Sequence, residues 1–468
     1  MRLKRMLSFL LCVSVLLVVA PIPAGAISAG GVAAGECGCG KVVRVFLNGF
    51  GGTLYYNFGT PEQEEAGMAR TDNLVCGLGA LFKGAALSVW KCSWSPLASG
   101  LSAAAFSVMG HLQMDPQGRS VEPITSGWTL DPAQNHREKP NYDFHFDFRI
   151  DPFEAASQLN DFIEAVCKAT GHSKIALTGC SEGAIVAMTY LKEYGTKRLE
   201  TFILLNGAWQ GLTLVGELLT GAFALSGPAV TDYISNFDNG SGWLKLAMAL
   251  LRGFHLLDFL KPLGEGVMDT MGGQLYAETL VPLFGQMPIL WAFVPASYYP
   301  EARKLISGNP EYVTLLARAD KYHDEVQAQA GALLKNAKDR GVRVAIIVGY
   351  GQNPIPVSRD VSFQCDSMID TAYASGGATA APIGQTLPLS NSKYRSPDGI
   401  LDATTCILPG QTWFIKNCGH EMGPSRELRQ WIIHSKGYPS VTANPGFPQY
   451  LVKGRDGMAV AQSSQDGG

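Results

Sequence analysis

Charge is scarce in this chain. Asp, Glu, Lys and Arg together make up 16% of its 468 residues, and no run of Lys or Arg is long enough to neutralise several phosphates in a row. That excludes nucleic acid as a partner. A second Cys or His pair at metal-ligand spacing is also missing: Cys37-Gly-Cys39 stands without one, so no metal set is expected and the chemistry read below calls for no cofactor. No apolar stretch reaches the roughly 20 uninterrupted residues a spanning helix needs. Glycine and proline, by contrast, are plentiful, at 53 and 26 residues, so loops and insertions should be extensive around a globular core.

The chain starts with a basic stretch, Met1-Arg-Leu-Lys-Arg5, and an apolar run from Leu7 to Ala20, ended by Pro21, Pro23 and Ala24-Gly-Ala26. This pattern reads as a secretory signal over residues 1–26, cleaved near Ala26; an uncleaved anchor is the alternative, and no lipidation box is present. Removal of the signal leaves 34 basic and 40 acidic side chains, a net charge of −6. It also leaves nine cysteines, several of which would pair as disulfides in an oxidising compartment, with Cys180 and Cys167 as candidates to stay free. The expected location is outside the cell or in its envelope.

Short apolar runs alternate with amphipathic segments. Strands are predicted at Lys41–Leu47, Tyr142–Arg149, Lys174–Thr178, Thr201–Asn206, Val342–Val348 and Thr412–Lys416, with a helix opened by Pro152. This implies an α/β fold, a mainly parallel sheet with helices on both faces. The core is expected over 41–206 and 340–435. Residues 207–339 interrupt the alternation with three apolar stripes, Leu212–Leu225, Trp243–Leu260 and Leu280–Pro295, and read as an inserted helical cap; packing as ordinary core helices is the competing reading. Residues 436–468, rich in Gly, Pro, Ser and Gln, read as a flexible tail.

Gly179-Cys-Ser-Glu-Gly183 carries the chemistry. It lies between a predicted strand and a predicted helix, the context in which Gly-x-Ser-x-Gly lifts a serine hydroxyl clear of the sheet. Ser181 is therefore the candidate nucleophile, and Cys180, beside the apex, reads as a packed thiol. The turn Asn48-Gly-Phe-Gly-Gly52 offers backbone donors for an oxyanion, with the N–H groups of Phe50 and Glu182 as the candidate pair. His420, in the loop after the last predicted core strand, is the candidate base; His323 and His434 read as solvated. Asp398 is the preferred orienting acid and Asp402 the alternative.

These segments resemble the lecithin:cholesterol acyltransferase family of α/β-hydrolases. Val45–Gly52 is similar to the family's oxyanion strand and turn, Tyr142–Asp151 to its Tyr-Asp-Trp-Arg segment, and Gly179–Gly183 to its Gly-His-Ser-Met-Gly. Asn206–Gly211, Pro397–Leu401 and His420 are similar to later family motifs. The resemblance implies an α/β-hydrolase fold with an inserted cap, a lipid or similar ester as substrate, transient contact with a lipid interface, and hydrolase or acyltransferase activity. Glu182 departs from the pattern, since a carboxylate beside an oxyanion opposes catalysis unless it is turned away or protonated. That departure supports a second reading, a catalytically silent protein that holds an apolar ligand; a peptidase is a third. Oligomeric state is not legible.

Overall fold

The computed structural model describes residues 37–222, 273–355, 358–420, 423–454 and 457–461, apart from positions 68, 69, 71, 72, 92 and 94. The segment expected to be a signal, the stripe Trp243–Leu260 and the last three residues of the stripe Leu212–Leu225 lie outside the described residues.

Eight strands form the main sheet: β1 Arg44–Leu47, β2 Asn141–Phe144, β3 Ile175–Cys180, β4 Leu199–Leu205, β5 Arg343–Tyr350, β6 Thr412–Lys416, β7 Tyr450–Gly454 and β8 Gly457–Val460. Their spatial order is β8-β7-β6-β5-β4-β3-β1-β2. Every adjacent pair is parallel except β7 with β8. Successive side chains of a strand point to opposite faces, and the core divides accordingly. Val45, Leu47, Ile175, Leu177, Phe202, Leu204, Val344 and Ile346 pack on one face. Phe46, Ala176, Ile203, Leu205, Ala345 and Ile347 pack on the other. Both faces are covered, which is why these strands read as near-continuous apolar runs.

On the first face Pro152–Thr170 presents Leu159, Phe162, Ile163 and Val166, and Gly183–Tyr194 presents Ile185, Val186 and Met188. The first of these helices starts as its sequence dictates: Asp151 accepts a hydrogen bond from Phe153 N at 2.9 Å, Pro152 takes the first turn, and Gly171 closes it at φ 70°. Arg426–His434 covers the opposite face with Leu428, Ile432 and Ile433.

Two expectations are corrected, and one stretch for which none was made is filled. The strand predicted over Tyr142–Arg149 ends at Phe144, because the chain turns to bury an ion pair: Arg149 grips Asp147 through Nε and Nη2 at 2.9 and 2.7 Å, and its Nη1 and Nη2 bond the carbonyls of Leu112 and Ile124. The segment taken for a flexible tail adds β7 and β8 to the sheet, with Phe414 and Tyr450 rings stacked 5.3 Å apart. Residues 74–109, for which no element was expected, form two apolar helices, Leu74–Lys91 and Ser95–Met109. These two pack so closely at Gly84 and Gly100 that a Cβ on Gly84 would fall 2.5 Å from Pro96 O. No helix among the described residues is long and apolar enough to cross a membrane.

Within 207–339 the described helices include Thr213–Leu219, Tyr276–Gly285, Pro288–Ala292, Tyr299–Ile306, Val313–Tyr322 and Ala330–Asp339. Trp291, Val294, Ala302, Ile306, Leu315 and Ala319 give this insertion a small core of its own.

Candidate functional site

Ser181 occupies the turn between β3 and the helix Gly183–Tyr194, with φ at 54°. A serine in the left-handed region costs on the order of 1–3 kcal/mol, and such strain persists only where neighbours over-determine it. Here they do. Ser181 N donates to Leu205 O at 3.1 Å, while Ala184 N and Ala208 N both donate to Ser181 O at 3.1 Å. The flanking glycines are sterically required: a Cβ on Gly179 would lie 2.6 Å from Gly183 O, and one on Gly183 would lie 2.6 Å from Leu47 O. The end of β1 therefore passes directly over the first turn of the helix. Left-handed residues recur along the same crest, at Asn206 after β4, Ser367 beyond β5 and Asn417 after β6.

The turn that follows β1 touches the serine. A Cβ on Gly49 would meet Ser181 Cβ at 2.7 Å and Oγ at 2.9 Å, so only glycine lets the backbone come this close. Among the described residues neither Phe50 N nor Glu182 N is engaged by a protein acceptor. The Phe50 ring packs edge-on against Phe148 at 4.6 Å and Phe293 at 6.3 Å, which sets an aromatic wall beside the turn.

His420 follows β6 as expected, but the carboxylate that meets it is neither candidate. Its Nδ1 lies 2.7 Å from Asp366 Oδ2. Asp366 is itself fixed, its Oδ1 accepting from Met368 N at 3.0 Å and Ile369 N at 2.7 Å. Burial alone would depress the imidazole; the Asp366 charge and hydrogen bond outweigh it and hold His420 above its ordinary value. Asp398 is occupied elsewhere: it accepts from Ser396 Oγ at 2.6 Å and Tyr350 OH at 3.0 Å, and pairs with Lys416 Nζ at 2.9 Å. Burial opposes its ionisation, yet the hydrogen bonds from Ser396, Lys416 and Ile400 N and the Lys416 charge keep its carboxyl below the usual range. Asp402 caps a short turn through Thr404 N and accepts from Ser392 Oγ. The sequence signal for Asp366 was slight, since chain order admits any loop acid between β5 and β6. Its one local mark is an acid followed within three residues by backbone donors it can cap.

Two further corrections concern His323 and the expected disulfides. His323 is buried rather than solvated: Nδ1 bonds Gln327 Oε1 at 2.8 Å, Nε2 bonds Trp291 O at 2.9 Å, and the ring stacks on Tyr299. His434 is exposed, beside Arg44. Cys180 packs into the second face of the sheet, and burial with the Asp366 charge pushes its thiol up to about 12, far from a nucleophile's range. No disulfide joins any two of the described cysteines, so the expected pairings are absent among the described residues.

Glu182 is fully buried, and neither carboxyl oxygen has a hydrogen-bond partner among the described residues. Desolvation, helped by the Asp147 charge, raises its pKa well above the usual carboxyl range. Burial thus favours the neutral carboxyl over the carboxylate.

The sequence matches no known family and no curated protein.

Proposed function

We propose that this protein is a secreted serine acyl hydrolase or acyltransferase of α/β-hydrolase fold, acting on lipid or similar apolar esters. The observation that carries the reading is the strained Ser181 turn, pressed against Gly49 on a crest that also bears the His420–Asp366 pair. A nucleophile after β3, an acid after β5 and a base after β6 follow the chain order Ser, Asp, His of that fold.

In this mechanism Ser181 Oγ attacks the ester carbonyl. His420, whose Nδ1 is taken by Asp366, accepts the serine proton on Nε2, and Asp366 fixes the tautomer and stabilises the imidazolium. The backbone N–H groups of Phe50 and Glu182 receive the oxyanion. Collapse of the tetrahedral adduct expels the alcohol, which takes the proton back from His420 and leaves an acyl-serine; water or a second alcohol then releases the acyl group by the same steps in reverse. No hydrogen bond to Ser181 Oγ is present among the described residues, in keeping with the loose contacts such sites show before substrate binds. The upward shift of the Glu182 pKa favours its neutral form, which weakens the electrostatic objection to an oxyanion formed at its own N–H.

The aromatic wall of Phe50, Phe148 and Phe293 suits an acyl chain, since each buried methylene contributes about 0.8 kcal/mol. It supports the substrate class implied by resemblance to the lecithin:cholesterol acyltransferase family. The test is hydrolysis of esters of graded acyl length, free and in vesicles, by the wild type and Ser181→Ala. The expected results are a rate that rises with chain length over the first several carbons and a loss of at least about 10³-fold in the variant. Wild-type protein that binds fatty-acyl probes without turnover would support the silent, ligand-holding reading instead.

A further inference from the structure

Three parts of the chain that are far apart in sequence meet at the amino-terminal ends of β1, β2 and β3. Cys37 and Cys39 precede β1, His136 lies in the loop leading to β2, and His172 follows the helix Pro152–Thr170 just before β3. Cys37 Sγ is 3.2 Å from His136 Nε2, Cys39 Sγ is 3.3 Å from His172 Nε2, and the four ligand atoms all lie within 4.8 Å of one another. The two imidazole rings stand nearly perpendicular, 82° apart with centroids separated by 5.3 Å, so their nitrogens approach one point from different directions. Backbone pairing of Cys37 N with Gly171 O at 2.9 Å holds the Cys-Gly-Cys segment against the His172 turn.

We propose that Cys37, Cys39, His136 and His172 form a structural zinc(II) site. Zinc bonds of about 2.3 Å to sulfur and 2.0–2.1 Å to nitrogen place ligand atoms on a tetrahedron whose edges are about 3.3–3.8 Å. The two sulfur–nitrogen contacts are already near that size. Two thiolates and two neutral imidazoles match the preference of tetrahedral S₂N₂ sites for zinc, and binding of the dication with loss of two thiol protons leaves the centre neutral. Four protein ligands close the coordination shell, leaving no open position for a reacting water. The position in the fold agrees with that role. Ser181 follows the last residue of β3, whereas His172 precedes its first, so the strand separates the two sites. The metal would join the segment that leads into β1 to the loops that start the two neighbouring strands, and in an oxidising compartment it would keep Cys37 and Cys39 from oxidising. The pair Cys37-Gly-Cys39 was visible in the sequence; its partners were not, because the two histidines are single and are brought together by the sheet.

The experiment uses the full chain, incubated with zinc chloride and dialysed, then analysed for metal. One zinc per chain is expected, bound through two sulfur and two nitrogen atoms by X-ray absorption. Zinc content should fall by about tenfold or more in Cys37→Ser/Cys39→Ser and in His136→Ala, since loss of even a supporting outer partner lowers affinity about 10–100-fold. Cobalt(II) added to the metal-free wild type should give the visible spectrum of a tetrahedral thiolate site, a readout that does not require any variant to fold. Chelation should lower the melting temperature of the wild type and leave that of the double variant unchanged. Wild-type protein that retains no zinc and shows both thiols freely reactive, or that carries a Cys37–Cys39 disulfide by mass spectrometry, would overturn the proposal. Neither result bears on the chemistry at Ser181.

Discussion

His420 Nδ1 and Asp366 Oδ2 are 2.7 Å apart, and both groups are shielded, with side-chain exposures of 11% and 1%. The carboxylate that meets His420 thus comes from the loop after β5, held by Met368 and Ile369, and not from the Asp398 turn, which serves Lys416 and Tyr350.

Exchange of the two acids separates their roles. Asp366→Asn should lower kcat on a soluble ester by about 10⁴-fold, the loss expected when the imidazole is held in the wrong tautomer. Asp398→Asn should keep kcat within about tenfold of wild type and lower the melting temperature, because it leaves Lys416 and Tyr350 with a weaker partner. Equal losses of kcat in the two variants would contradict the assignment of Asp366.

The pH profile should carry the same signature. His420 must be neutral to accept the serine proton, and Asp366 raises its pKa, so the acid limb of kcat/KM should have its midpoint above 6.5. In the residual activity of Asp366→Asn the charge is gone and burial remains, so the midpoint should move below 6.5. A limb that does not move would mean that another group titrates.

Glu182 should make stability depend on pH in the opposite sense to a paired carboxylate. Its folded pKa is raised, so the native state keeps a proton that the unfolded chain gives up, and stability falls as pH rises from about 4.3 toward the folded value, by up to about 1.4 kcal/mol per pH unit. Glu182→Gln removes that slope. Thermal unfolding of the two proteins at pH 4, 6 and 8 should show an advantage for the variant that is smallest at pH 4 and grows with pH. A constant difference would mean that Glu182 is not buried as a neutral acid.

Trp291 and Phe293 are two residues apart yet belong to different surroundings. Trp291 lies in the insertion's own core, its Nε1 bonded to Gly285 O at 2.8 Å, while Phe293 packs against Phe50. Trp291→Ala should therefore lower stability by about 3–5 kcal/mol in denaturant unfolding and affect long-chain and acetyl esters alike. Phe293→Ala should raise KM for long-chain esters more than for acetyl esters.

Much of this arrangement was readable in the sequence wherever function and local physics demand the same residues. Gly179, Ser181 and Gly183 are such a case: the close approach of β1 permits no side chain at 183, and the turn that exposes the serine needs room at 179. β6 was readable to the residue because its apolar run is short and bounded. Pairings made by tertiary structure were not readable. Asp366 and His420 meet across 54 residues of chain, and Asp398, in a Pro-Asp-Gly turn, is as good a loop acid by local pattern. Tyr450–Val460 lies among glycine and proline and has little periodicity, so its place in the sheet comes from the open edge of β6 rather than from its own propensity. The expected disulfides followed from compartment and cysteine count, neither of which specifies which thiols the fold brings together.

The most direct test is covalent labelling of the purified protein with a long-chain alkyl phosphonate that reacts only with activated serines. Peptide mapping should place a single adduct on Ser181, with labelling abolished in Ser181→Ala and His420→Ala and sharply slowed in Asp366→Asn. An intact, folded protein that takes up no label, or takes it at another serine, would contradict a catalytic site at Ser181.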